Sequence, residues 1–372
     1  MKRSLAVPDR KKPLRINGCL GIIGGGQLAR MLIMAASRLG FRSVILEPFT
    51  DCPAHEVAGH HIVAPYDDVE ALHQLASQCE VVTYEFENIS RPAMDILAQK
   101  IAVFPHPRAL QISQDRLLEK TFLHECGIPT APFADVDDMD SLKMALAEIG
   151  PNAILKTRRF GYDGRGQMRL NQPDEGALAK AFEALGGSGL ILEGFVDFIS
   201  EISVIAARGA DGTVVFYDCP ENCHRDGILR TSRVPARLPS ATLRAAEQAT
   251  QVVLDAFNYV GVIGMEFFVL PDGALLANEF APRVHNSGHW TEAACFVSQF
   301  EQHIRAITGL PLGSPHRHSD CVMENLIGDD IEQVEGLLAQ PDLALHLYGK
   351  KLVRSQRKMG HFTRLLPKTE TL

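Results

Sequence analysis

No apolar run in this 372-residue chain is long enough to cross a bilayer, and the basic opening stretch "MKRSLAVPDRKKPLRING" has no apolar core of the kind a secretory signal needs. The sequence therefore reads as cytoplasmic, with residues 1–17 as a disordered basic tail. An excess of basic charge is also missing, since 37 Lys and Arg stand against 45 Asp and Glu for a net charge of −8. That balance argues against broad nucleic-acid or anionic-membrane binding, so an anionic ligand has to be met by specific arginines and lysines. There is no CxxC pair, no Walker-type phosphate loop, no internal repeat and no low-complexity block. The eight cysteines are scattered, and a chain of this size folds without a disulfide framework, so they are expected as reduced thiols. Cys219, Cys223 and His224 form the tightest group; without a second ligand pair at matching spacing, zinc is the weaker reading of them.

What is present is enough chain for two or three domains. In the first of these, residues 18–112, the short apolar runs "CLGIIG", "SVILEP", "VVTYEF" and "IAVFP" alternate with helical spacing, first at Leu28, Met31, Leu32, Ala35, Ala36 and Leu39. That alternation predicts a parallel sheet built from βαβ units. The stretch from His106 onward predicts one amphipathic helix stopped by Gly127 and Pro129. Residues 113–314 read as a second, antiparallel-rich α/β domain, with strands "AILKT", "GLILEGFV", "EISVIAAR" and "TVVFYD" and a helix near 174–185. The strand "CVMENLIG" and a basic cluster at 350–358 mark a small C-terminal domain, 315–372.

Three stretches carry chemistry. Gly24-Gly25-Gly26 after an apolar run, with Glu47 closing the next run, is by itself the start of a dinucleotide fingerprint. In "GVIGMEFFVLPDGALLANEFAPR", Asp272-Gly273 predicts a two-residue hairpin turn, and counting outward from it places Glu266 directly opposite Glu279. Opposed carboxylates repel, and a divalent cation completed by phosphate oxygens relieves that repulsion. The competing reading is a three-residue loop that slips the register and separates the pair. In an ideal strand Asn278 points to the other face. In "AILKTRRFGYDGRGQ", Lys156, Arg158 and Arg159 precede a loop with glycines at 161, 164 and 166, a basic, backbone-donating surface suited to phosphate or, alone, an exposed hairpin. Glu193 to Val196 and Glu201 then lie at a strand end, where backbone groups and a carboxylate suit adenine and ribose, or simply face solvent.

Taken in order, these segments resemble the ATP-grasp superfamily, and within it the N5-carboxyaminoimidazole ribonucleotide synthetases. The motifs that carry the resemblance include "GGGQLARM", "YEFENI", "QDRLLEK", "RRFGYDGRGQ", "ENCHRDGILRTSRVPA", "NEFAPRVHNSGHW" and "YGKKLVRSQRKMGH", spread from residue 18 to 361. The resemblance implies an N-terminal Rossmann-like domain, a central ATP-grasp domain and a small C-terminal domain. It also implies ATP- and bicarbonate-dependent carboxylation of 5-aminoimidazole ribonucleotide in purine biosynthesis, by a homodimer that passes its product to a separate mutase.

By the same resemblance Arg116, Lys156, Gly161, Tyr162, Asp163, Gly164, Arg165, Gly166, Gln167, Glu193, Gly194, Phe195, Val196, Glu201, His224, Asn278 and Glu279 contact ATP. Glu266 and Glu279 hold Mg²⁺. Gln27, Glu85, Tyr162, Asp163, Arg165, Arg283, His285, Asn286, Ser287 and His289 face the ribotide, with Lys350 and Arg357 on its phosphate. Lys156, Arg283, Tyr162 and Asp163 are the expected catalytic residues. This sequence has Ala29 where the family has glycine and Ser355-Gln356 where it has Pro-Gly. Another ATP-grasp ligase, such as a formate-dependent ribotide transformylase, a dinucleotide oxidoreductase and a non-catalytic binding module are the rival readings. A zinc pair at His285 and His289 is disfavoured by the loop-forming residues between them.

Overall fold

The computed structural model describes residues 13–161 and 164–369. Its first sheet is parallel and contains β1 (Cys19–Ile23), β2 (Arg42–Leu46), β3 (His60–Ile62) and β4 (Val81–Tyr84) in the order β3-β2-β1-β4. All five residues of β1 are buried, as a central parallel strand covered on both faces requires. The helix Gln27–Arg38 buries Leu28, Met31, Leu32, Ala35 and Ala36, the stripe expected from their spacing. From the expected tail, residues 1–12 lie outside the described residues, whereas Leu14 is buried and donates its N–H to Thr308 O at 2.8 Å.

Two local expectations are corrected here. The run "IAVFP" makes a single bridge, Val82 to Val103, because Pro105 and Pro107 supply no N–H to continue a ladder. The stretch from His106 onward is two helices, Pro107–Ser113 and Arg116–Glu125. Asp115 separates them because its carboxylate accepts from the N–H groups of Leu117 and Leu118 and so caps the second helix.

A second sheet, antiparallel throughout, orders β5 (Phe133–Val136), β6 (Asn152–Thr157), β7 (Gln167–Asn171) and β8 (Leu190–Gly194) as β5-β8-β6-β7. The helices Met139–Ile149 and Glu175–Ala184 give Leu142, Ala145, Leu178 and Ala181 to its core, the first of them beyond the one helix expected. The third sheet holds β9 (Ser200–Arg208), β10 (Val214–Phe216), β11 (Glu221–Arg225), β12 (Ile228–Val234), β13 (Gly261–Val269), β14 (Leu275–Ala281), β15 (Asp320–Ile327), β16 (Leu343–Leu347) and β17 (Lys358–Leu366). Its order is β14-β13-β9-β11-β12-β15-β17-β16, with β10 on the side of β9. The C-terminal strands thus extend the central sheet through β12 and β15.

Register divides this large sheet into two chemically different faces. Ile202, Val204, Met265, Phe267 and Phe280 fall on one face and pack with Phe122, Leu254 and Phe257 in an apolar core. Directly paired residues share a face, so Ser203, Glu266 and Glu279 form a polar row on the other. The two glutamates of that row are on the floor of the site, and Ser203 is buried beside them.

Candidate active site

The hairpin β13–β14 reaches the expected pairing by an unexpected route. Leu270 and Ala274 close a three-residue loop, with Gly273 at φ +85°, where the two-residue turn was expected. Near the loop the register is therefore Phe267 opposite Ala277, one residue out from the sequence count. A β-bulge at Asn278 absorbs the slip and restores Glu266 opposite Glu279. The bulge also lets Asn278 line the same cleft as the two glutamates, which an ideal strand would prevent. Burial, then Glu279 beside it, pushes the Glu266 carboxyl up to about 7. Burial acts on Glu279 in the same direction, but Arg116 and Lys156 outweigh it and hold its pKa below the ordinary value.

Cations face this pair from two other elements. Arg116, at the start of its helix, donates to Glu279 Oε2 at 3.2 Å. Lys156, from β6, is buried and donates to Glu193 Oε2 at 3.0 Å, and burial lowers its pKa. Lys120 reaches the same Glu193 oxygen at 3.3 Å and also donates to the carbonyl of Asn278 at 2.9 Å. Glu193 is thus committed to two lysines, while its other carboxylate oxygen is buried without a hydrogen-bond partner. Glu201 and His224 stand across the floor with Oε2 and Nδ1 3.1 Å apart. Burial disfavours charge on His224, but Glu201, with Glu266 and Glu279 beyond, outweighs it and raises the pKa.

The far wall comes from the first domain. Glu85 Oε1 accepts the N–H of Gly26 at 2.9 Å. A Cβ on Gly24 would lie 2.6 Å from that oxygen, and one on Gly26 2.8 Å from it. A Cβ on Gly25 would meet Cγ of Glu47 and Sγ of Cys52, each at 2.6 Å. The glycine run therefore admits the side chains of Glu85 and Glu47. Arg283 Nε pairs with Glu87 Oε1 at 3.1 Å on the same wall.

Together these walls enclose a cleft of about 830 Å³, within the range of roughly 300–1,000 Å³ usual for small-molecule sites. Of the residues expected on ATP, Arg116, Lys156, Gly161, Gly164, Gln167, Glu201, His224, Asn278 and Glu279 line it. Gln27, Glu85, Arg283, His285, Asn286 and His289, expected on the ribotide, line it too, as does Glu266. Both polar atoms of the Asn286 side chain are buried without partners, consistent with a ligand-facing amide. Arg165, Gly166, Gly194, Phe195, Val196, Ser287, Lys350 and Arg357, like Glu193, are not among the lining residues. Arg165 donates to Gln356 at 3.2 Å, Lys350 to the carbonyl of Lys358 at 2.7 Å, and Arg357 to that of Leu352 at 2.9 Å. Tyr162 and Asp163 lie outside the described residues.

Three family models match in series: the ribonucleotide synthetase preATP-grasp domain over residues 18–114, the ATP-grasp domain over 121–300, and the phosphoribosylaminoimidazole carboxylase C-terminal domain over 321–372. The N5-carboxyaminoimidazole ribonucleotide synthase of Brucella melitensis is 58% identical over 359 residues, 96% of this chain and 99% of its own length. This chain belongs to the N5-carboxyaminoimidazole ribonucleotide synthase family. A solved synthetase of that family in complex with ADP superposes with a TM-score of 0.92 at 38% identity, covering 96% of this chain and 95% of its own. The Aspergillus clavatus synthase in complex with ADP and 5-aminoimidazole ribonucleotide gives 0.88 at 32% identity, covering 95% and 94%.

Several residues shape this synthase-family site in ways the sequence does not show: Glu119 and Lys120 have no role assigned from their motif, and Arg158, expected on a phosphate surface, is engaged by Asp115. Glu119 lines the cleft and accepts the N–H of Phe280 at 2.7 Å; burial, then Glu279, raises its pKa to about 8. Arg158 grips Asp115 through two bonds of 3.0 and 2.9 Å, fastening the small sheet to the helix that carries Arg116. Glu119 and Lys120 are adjacent charges on a helix and would ordinarily be read as a solvated face. Among the described residues no three His, Cys, Asp or Glu side chains are grouped to hold a metal unaided. Two opposed carboxylates beside Arg116 and Lys156 instead fit a Mg²⁺ that would complete its shell with oxygens of a bound ligand.

Proposed function

We propose that this chain joins bicarbonate to the exocyclic amine of 5-aminoimidazole ribonucleotide at the expense of ATP, giving N5-carboxyaminoimidazole ribonucleotide, ADP and phosphate. The observation that carries the reading is the Glu266–Glu279 pair, opposed across a bulged hairpin and facing Arg116 and Lys156 in a cleft whose other wall holds Glu85 and Arg283. The named relatives and the complexes of similar structures with ADP and with the ribotide support it.

Arg116 and Lys156 bind the nucleotide's phosphate oxygens and offset the charge that grows when a bicarbonate oxygen displaces ADP from the γ-phosphorus. Glu266 and Glu279, with Asn278 at the bulge, would hold Mg²⁺, which when bound would supply Lewis-acid polarisation of the phosphoryl oxygens. Glu201, with His224 beside it, accepts the ribose hydroxyl pair of the nucleotide. Arg283, beside Glu87, orients the carboxyl donor, and Glu85, His285 and Asn286 orient the ribotide so that its amine meets the carbonyl carbon of carboxyphosphate as phosphate leaves. Tyr162 and Asp163 of the glycine loop complete the substrate side, with Lys350 and Arg357 drawn to the ribotide phosphate on binding. The enzyme works as a cytoplasmic homodimer and releases its product to a separate mutase.

The test is phosphate release with ribotide and bicarbonate omitted in turn, and with formate in place of bicarbonate. Full release needs ATP, ribotide and bicarbonate together, and Glu279→Gln is expected to lose at least a hundredfold of it, on the order of 3 kcal/mol of transition-state stabilisation. Release that follows formate, or a Glu279→Gln enzyme as fast as its parent, contradicts the proposal.

A further inference from the structure

The polar face that carries Glu266 and Glu279 continues inward as a buried line of uncharged side chains. Ser203, on β9, is directly opposite Glu266, and Asn222 is directly opposite Ser232 between β11 and β12. Ser203, Ser232 and Ser287 are fully buried and Asn222 nearly so. Such groups destabilise a fold unless each finds a partner, and here they partner one another. Ser232 Oγ donates to Asn222 Oδ1 at 2.7 Å, and Asn222 Nδ2 donates to Ser203 Oγ at 3.0 Å. Ser203 Oγ lies 2.6 Å from Ser287 Oγ, which lies 2.8 Å from Nδ1 of His285.

We infer that Ser203 and Asn222 are positioning residues which, through Ser287, hold His285 as the tautomer with its proton on Nε2, so that the ring presents a donor to the cleft. Two contacts set the direction of the chain. The backbone N–H of Ser287 donates to Nδ1 of His285 at 3.4 Å, so that nitrogen bears a lone pair. On the other side of the ring Nε2 faces Oε1 of Glu266 at 3.6 Å, where a second lone pair would be repelled by the ionised carboxylate. With Nδ1 as the terminal acceptor, Ser203 donates to Ser287 and Ser287 to His285. The reverse direction would set the ring N–H against the N–H of Ser287. At 3.6 Å the Nε2–H is out of hydrogen-bond reach of Glu266, so it is available to an oxygen of an anionic ligand. That this anion is bicarbonate or the new carbamate rests on the proposed carboxylation; the tautomer does not.

The test is a ring-nitrogen spectrum of ¹⁵N-histidine-labelled enzyme, with His285 assigned by its loss in His285→Gln. The wild type is expected to show Nε2 protonated and Nδ1 bare. Ser203→Ala is expected to show mixed tautomers and a kcat about tenfold lower at unchanged KM for ATP, the loss of one buried hydrogen bond, with Ser203→Thr restoring both. A proton on Nδ1 in the wild type overturns the inference, as does a Ser203→Ala enzyme with pure Nε2–H and full kcat. If Ser203→Ala does not fold, the wild-type spectrum decides alone. An Nε2–H spectrum in an enzyme that fails to carboxylate the ribotide supports the positioning line and refutes the assigned reaction.

Discussion

Removing the charge of Glu266 should make the metal-free enzyme more stable at neutral pH, and the size of the effect follows from the site. Burial, then the neighbouring Glu279, raises this carboxyl from an ordinary 4.5 to about 7, with only 13% of its side chain exposed. Below about pH 4.5 the folded and unfolded chains both hold the proton, and Glu266 makes no difference to stability. Between 4.5 and 7 the unfolded chain has lost its proton while the folded one keeps it, so stability falls as pH rises. Above 7 the folded chain carries the buried charge at a cost of about 3 kcal/mol. Glu266→Gln never incurs that cost. Melting both proteins in chelator from pH 5 to 8 should show the variant gaining on the wild type by roughly 3–4 °C, because an unfolding entropy of about 2.1 cal/mol/K per residue over 372 residues converts each kcal/mol into about 1.3 °C. Magnesium with ADP, added at pH 8, should close the gap by stabilising the wild type selectively. Parallel melting curves for the two proteins across this range would mean that Glu266 carries no costly buried charge.

Two further perturbations address the walls of the cleft. Lys120→Met leaves Glu193 with one cation and bares the Asn278 carbonyl, so it should cost about 3 kcal/mol in denaturant unfolding and weaken ATP binding; an unchanged midpoint and ATP affinity would contradict the role given to the bulge. Gly26→Ala places a methyl 2.8 and 2.9 Å from the two oxygens of Glu85, so KM for the ribotide should rise by roughly tenfold while KM for ATP holds; equal effects on both substrates would argue against assigning this wall to the ribotide.

The architecture was largely legible because its elements announce themselves by period. The helix Gln27–Arg38 and the strands β1, β2 and β4 lie where alternation of apolar runs and helical stripes puts them. The three-residue β3, which begins with two histidines, has no apolar pattern to read. The acid pair was legible for an incomplete reason. Counting from a two-residue turn gave Glu266 opposite Glu279, yet the loop has three residues and only the bulge at Asn278 keeps the pairing. A bulge is a response to tertiary demands, here Lys120 holding the Asn278 carbonyl from a helix some 158 positions away, and no local propensity encodes it. The opening glycines were legible as a demand for close approach, but what approaches is Glu85, which the local pattern does not name. Ser203 was invisible because one hydroxyl inside an alternating strand looks neutral, and its partner Ser287 is 84 residues distant.

In the proposed function the two acids on neighbouring strands share a cation with the bound nucleotide. Crystals grown with Mn²⁺ and a non-hydrolysable ATP analogue test it directly through the metal's anomalous scattering. The expected peak is coordinated by both Glu266 and Glu279 and by phosphate oxygens that Lys156 also contacts. A peak bound by neither carboxylate, with the nucleotide in place, would contradict it.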